Sequence, residues 1–181
     1  MKRLAMRGIA QENRGLYAAF ALCTAIVLGG AAAGCVSGSC ADGALIADGI
    51  GAREAAGFWS CAFANLLVAA AIFICGSSCL GFLLLPPLIF AYGFAAGFVM
   101  TALACTVGWT EAFSLAGWFT VSSLPFFMLL CTTALRSASA AFKTVVFGIR
   151  PEPGVFLIFL KAALICAAAS FALAAAQTAA K

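Results

Sequence analysis

No histidine occurs anywhere in the chain, and acidic residues number only six. The first absence removes the commonest general base and the commonest metal ligand. The second leaves few carboxylates to pair for acid–base chemistry. Charge of either sign is scarce: 9% of the 181 residues are Asp, Glu, Lys or Arg, against about 25% in a soluble domain. From residue 58 to residue 107 there is none at all. A helix crosses a bilayer in roughly 20 residues, so that interval is predicted to hold two spans back to back, as a membrane hairpin. A soluble fold is excluded. So is a second domain, because nothing outside the apolar runs is long enough to build its own core.

What is present is apolar: 65% of the residues are hydrophobic and the mean hydropathy is +1.14. The runs divide into about five spans, at residues 16–34, 60–84, 88–108, 112–135 and 155–176, in one all-α polytopic membrane bundle. The first run, with Ala32-Ala33-Gly34-Cys35 at its end, mimics a lipoprotein signal. The long leading segment, Glu12 within it and the apolar runs downstream favour an uncleaved span. Residues 35–57 form an external loop of net charge −2, and residues 136–154 a cytoplasmic loop. Within the hairpin, the turn falls at Gly76-Ser77-Ser78 or at Pro86-Pro87. Two adjacent prolines cost helical hydrogen bonds, so the proline position is preferred. Trp59 and Trp109 then mark the outer ends, at headgroup depth.

The net charge of +4 is read by position. Lys2, Arg3, Arg7 and Arg14 precede the first span, and Arg136, Lys143 and Arg150 follow the fourth. This is the positive-inside pattern, with the N-terminus cytoplasmic, and not a nucleic-acid surface. Lys161 lies near an end of the last span, where its stem can snorkel to the interface. Arg136, Lys143 and Arg150 recur every seven residues, with Phe142, Val145, Val146 and Ile149 at helical spacing. That pattern fits either an amphipathic helix on the inner leaflet or an ordinary positive-inside loop.

Seven of the nine cysteines sit inside apolar runs, where Cys acts as a small hydrophobe. Cys75 and Cys79 share a helical face, but with no His and no second pair they do not make a zinc site. Cys35 and Cys40 fall in the external loop, where a disulfide is an open alternative. No nucleophile–base pair and no carboxylate pair lies in a span, so no catalytic residue, metal or cofactor is expected. Asn65 is the notable polar residue of the hairpin, expected to hydrogen-bond a neighbouring helix. Ser77, Ser78, Ser122 and Ser123 can bond back to their own helices. Glycines carry the clearest pattern. Gly30 and Gly34, and Gly93 and Gly97, are each four apart and share a face, and such small faces let helices approach closely. Gly76 and Gly81 add a further small face, and Pro125 is expected to kink the fourth span.

The order of Asn65, Gly76, Gly81, Gly93-Phe94, Gly97-Phe98 and Gly108-Trp109 resembles the signature region of the stage II sporulation protein M family. Ser122-Ser123-Leu124-Pro125 is similar to that family's proline motif, and Gln11-Glu12-Asn13-Arg14 before Leu16-Tyr17 to its N-termini. The chain departs where the family carries a polar residue after the proline: here Phe126 and Phe127 follow. The resemblance implies a non-enzymatic subunit of the cell membrane that contacts lipid and works with peptidoglycan-cleaving, membrane-anchored proteins of the sporulation D and P type. Together these remodel septal wall during forespore engulfment. A small transporter or channel subunit is the alternative function. A bare membrane anchor for a soluble partner, docking through the basic 136–150 segment, is a third.

Overall fold

The computed structural model describes residues 2–40, 57–114, 118–149 and 154–179. Among them there is only helix and turn. Helix α1 runs over Lys2–Gly38, α2 over Gly57–Ser77, α3 over Gly81–Val107, the single turn α4 over Trp109–Ala112, α5 over Trp118–Phe147 and α6 over Val155–Ala179. Four of these are long and apolar enough to cross a membrane: Gly15–Gly38, Gly81–Val107, Thr120–Phe147 and Val155–Ala176. The fifth long helix, α2, has 21 residues. Large apolar side chains cover the outside: Leu28, Phe63, Ile74, Leu83, Leu157 and Leu164 are all exposed. A water-soluble monomer does not present so much contiguous apolar surface. The chain is a multi-pass membrane protein.

The hairpin turn lies at residues 78–80, not at the prolines. Ser78 explains why. Its Oγ accepts the Gly81 N–H at 3.1 Å and donates to Cys75 O at 3.1 Å, so it closes the end of α2 and opens α3 together. Pro86 and Pro87 sit inside α3, in its second turn. The bonds they forfeit would have ended on the carbonyls of Phe82 and Leu83, close to the helix start, where an orphan carbonyl is cheaper than in mid-span.

A second boundary also moves. The fourth span was expected to end at 135, with a loop from 136, yet α5 continues to Phe147. The segment after Arg136 is rich in Ala and Ser, and Ser137 and Ala138 are buried against the bundle. Helix stops where a stop signal stands: Gly148 takes φ 67° and its N–H bonds to Thr144 O at 3.1 Å. Arg136 and Lys143 thus lie on the continuation of α5, neither on a separate helix nor in a loop. Arg150, Glu152 and residues 41–56 of the expected external loop lie outside the described residues.

Helix α5 is the centre of the bundle and touches α1, α2, α3 and α6. Its buried side includes Phe127, Leu130, Cys131, Ala134 and Ala138. Thr132 and Thr133 are buried there too, and their hydroxyls return to their own helix, on Met128 O at 2.7 Å and Leu129 O at 2.9 Å. Long-range pairs give the directions. Phe82 stacks near Phe142 and Tyr92 near Phe127, so α3 and α5 are antiparallel. Gly30 meets Phe90 and Gly38 meets Phe98, so α1 and α3 are parallel. That pairing requires α2 to return between them, and puts Trp59 and Trp109 at the same end. In a background without native cysteines, Ser78→Cys is expected to react with an impermeant maleimide from the side of the N-terminus, and Trp109→Cys from the opposite side. Labelling of both from one side would contradict this order of helices.

Candidate functional site

Among the described residues the most extensive helix–helix contact is a close seam between α1 and α3. A Cβ on Gly30, Gly34 or Gly38 would meet the carbonyl oxygen of Phe90, Phe94 or Phe98, closer than 3.0 Å in each case. Reciprocally, a Cβ on Gly93 or Gly97 would meet the carbonyl of Val27 or Ala31. In glycine a hydrogen occupies that direction, so each position aims a Cα–H at a carbonyl across the seam. Such contacts contribute about 0.5–1 kcal/mol each. Hydrophobic burial cannot drive helices together in lipid, and close backbone approach takes its place. Cys35 adds a weak bond from its Sγ to Gly97 O at 3.7 Å.

The four glycines paired in the sequence therefore meet in one seam. Gly38 joins them, and the sequence reading missed it because it ended the first span at 34, although the four-residue spacing continues. Gly76 and Gly81 do different work. Gly76 is packed at the junction of α2, α5 and α6, where a Cβ would stand 2.7 Å from Phe159 Cζ and 2.8 Å from Ala134 Cβ. Gly81 begins α3 against the carbonyl of Cys75, so it belongs to the turn. Pro125 lies within α5, on a wide apolar groove of about 640 Å³ between α1 and α5.

Asn65 lines a smaller cavity of about 90 Å³, walled by α2, α5 and α6 with Tyr92 of α3. It was expected to bond a neighbouring helix, but its Nδ2 is buried without a partner. An unpaired buried polar group costs about 1–3 kcal/mol. Around it, Tyr92 Oη and Ser123 Oγ are 3.1 Å apart, and Ser170 Oγ donates to Cys166 O at 2.8 Å. Tyr92, Ser123 and Ser170 come from three different helices, and only Ser123 was singled out in the sequence. Spacing within one helix carries no signal for such a meeting.

The remaining residues of interest do not converge. Arg136 is half-buried on α5, Lys143 is exposed one turn and more beyond it, and Lys161 is exposed on α6. Cys35 and Cys40 are both free thiols. Cys23, Cys131 and Cys166 are buried in the core, and Cys166 Sγ donates to Phe126 O at 2.9 Å. Among the described residues no three His, Cys, Asp or Glu side chains come together as a metal site. No Asp, Glu, Lys or Arg lines either cavity. Among the described residues, these two cavities bring no charged acid–base pair together.

No family model, no curated protein and no solved structure matches the chain. The resemblance to the sporulation family rests on the residues that carry it.

Proposed function

We propose that this chain is a non-catalytic scaffold of the cell membrane, which holds peptidoglycan-cleaving partners at a site of wall remodelling in forespore engulfment. The observation that supports the non-catalytic part is the lining of the two cavities described above, where among the described residues there is no carboxylate, lysine or arginine. Proton transfer in a transition state needs positioned titratable groups. A second support is the glycine seam, which makes a stiff helix pair suited to positioning other proteins. The wall-remodelling role, and partners of the sporulation D and P type, are what the resemblance to the sporulation family implies. Glycine-rich close packing serves many membrane proteins, so the partners decide the matter.

The test is a tagged pull-down from gently solubilised membranes of the native host, taken during sporulation. Recovery of membrane-anchored wall hydrolases is the expected result. A preparation free of them, together with solute flux in reconstituted vesicles, would replace the scaffold with the small-transporter reading.

A further inference from the structure

The groove between α1 and α5 opens to the surroundings of the bundle, with Phe20, Leu28, Pro125 and Leu129 exposed along it. In a bilayer such a groove is filled either by hydrocarbon or by another helix. Its lining favours hydrocarbon. Among the described residues it contains no glycine, alanine or serine, so it lacks the small face that lets a second helix approach closely. It contains no amide or carboxylate to bond across to one either. Its three threonines give their protons to their own helices: Thr24 to Phe20 O at 2.9 Å, Thr132 to Met128 O at 2.7 Å and Thr133 to Leu129 O at 2.9 Å.

The length of the groove points the same way. On α1 the lining runs from Leu16 to Leu28, about 18 Å at 1.5 Å per residue. One leaflet contributes about 15 Å of hydrocarbon. The apolar span of α1 begins at Gly15, so the groove occupies the half of the membrane on the side of the N-terminus. It is as long as one leaflet is deep.

Only the end nearest that surface is polar. On α5, Arg136 stands three and four positions past Thr133 and Thr132, on the next turn of the same face. Cys23 of α1 meets Thr132 of α5. From that crossing, six residues back along α1 lead to Tyr17 and four residues forward along antiparallel α5 lead to Arg136. Both steps run toward the N-terminal side, by about 9 Å and about 6 Å, so the phenol and the guanidinium stand near one level. Tyr17 is exposed and Arg136 half-buried. Arg136 is already engaged within the protein, but a guanidinium carries five N–H donors in a fork that suits phosphate.

We propose that this groove holds one acyl chain of an anionic phospholipid from the leaflet on the N-terminal side, with Arg136 and Tyr17 binding its head. The site does not depend on the scaffold reading.

The test places the full chain in nanodiscs of phosphatidylcholine with a trace of photoactivatable lipid. The probe is phosphatidylglycerol or phosphatidylcholine, each with a diazirine on one acyl chain, and adducts are located by peptide mass spectrometry. Phe20, Thr24 and Met128 are expected to be labelled about fivefold more by the anionic probe, the worth of one basic side chain near the surface. Leu164, exposed on α6, is expected to take both probes equally. Arg136→Gln is expected to bring the ratio in the groove to one, and Lys143→Gln to leave it unchanged. Thr24→Trp, which fills the groove, is expected to remove groove adducts of both probes and spare those at Leu164. If Arg136→Gln does not accumulate, Tyr17→Phe and Thr24→Trp decide, since both side chains lie at the surface of the bundle. Equal labelling of the wild-type groove by both probes would overturn the proposal. So would an anionic preference as large at Leu164, or one lost equally in Lys143→Gln. Cross-linking of Thr24→Cys to a second protein in native membranes would give the groove to a partner helix instead.

Discussion

Gly97→Leu is expected to leave little folded protein in the membrane, whereas Gly29→Leu, in the facing helix, is expected to be tolerated. The two differ in what a side chain would meet. At Gly97 a Cβ would run into Ala31 O, backbone that cannot rotate aside, and at Gly29 there is nothing within 4 Å. Overpacking typically costs 1–3 kcal/mol and occasionally more. The higher end applies here because the helices are rigid: moving α1 away at Ala31 also lengthens the neighbouring contacts at Gly93, Gly34 and Gly38. A loss of roughly 3 kcal/mol or more is a large share of the 5–15 kcal/mol that holds an ordinary domain. Abundance in membranes and the thermal midpoint in detergent both report it. Equal behaviour of the two variants would remove the seam from any account of the fold.

Phe159→Ala is expected to be the most damaging large-to-small change in the bundle. Phe159 is fully buried, stacks on Phe73 at 5.2 Å and fills the junction beside Gly76. In a soluble core Phe→Ala costs about 3–5 kcal/mol, part of it transfer from water and part the cavity left behind. Here the transfer part is small, because lipid is as apolar as the core. The cavity part remains, about 2 kcal/mol. Leu157→Ala, at a side chain 53% exposed to the surroundings of the bundle, is expected to change stability by no more than a few tenths of a kcal/mol. Unfolding midpoints in a denaturing detergent series separate the two. A Leu157 variant as weak as the Phe159 variant would mean that burial in the bundle contributes little.

The spans were legible because fifty residues without charge have no other solvent. The glycine pairs were legible too, since four-residue spacing puts them on one face whatever they touch. Which face meets which was not: nothing in the local sequence says that Gly30 and Gly34 answer Gly93 and Gly97 and not one another's copies. Two of the misplaced boundaries have identifiable causes. At Pro86-Pro87 a rule for helix interiors was applied one turn from a helix start, and the alternative at Gly76-Ser77-Ser78 was not preferred although Ser78 serves both helix ends. At Arg136 the end of an apolar run was taken for the end of a helix, although the next stop signal is Gly148. Hydropathy reports where lipid ends, and capping residues report where helix ends. The Asn65 cavity was half-visible, in Asn65 and Ser123 taken separately, and its other walls are separated from Asn65 by as many as 105 positions, at Ser170.

The parallel pairing of α1 with α3 also bears on how the protein is made. The partner of Gly38 is Phe98, sixty positions later in the chain. At about 5–20 residues per second, the first helix waits roughly 3–12 s in the bilayer before the ribosome has delivered its other half. During that interval its glycine face is bare, and any passing helix with a small face is a competitor. Chains truncated between residues 40 and 90 would therefore be prone to premature pairing, and an insertion chaperone that shields α1 would be most needed in that window.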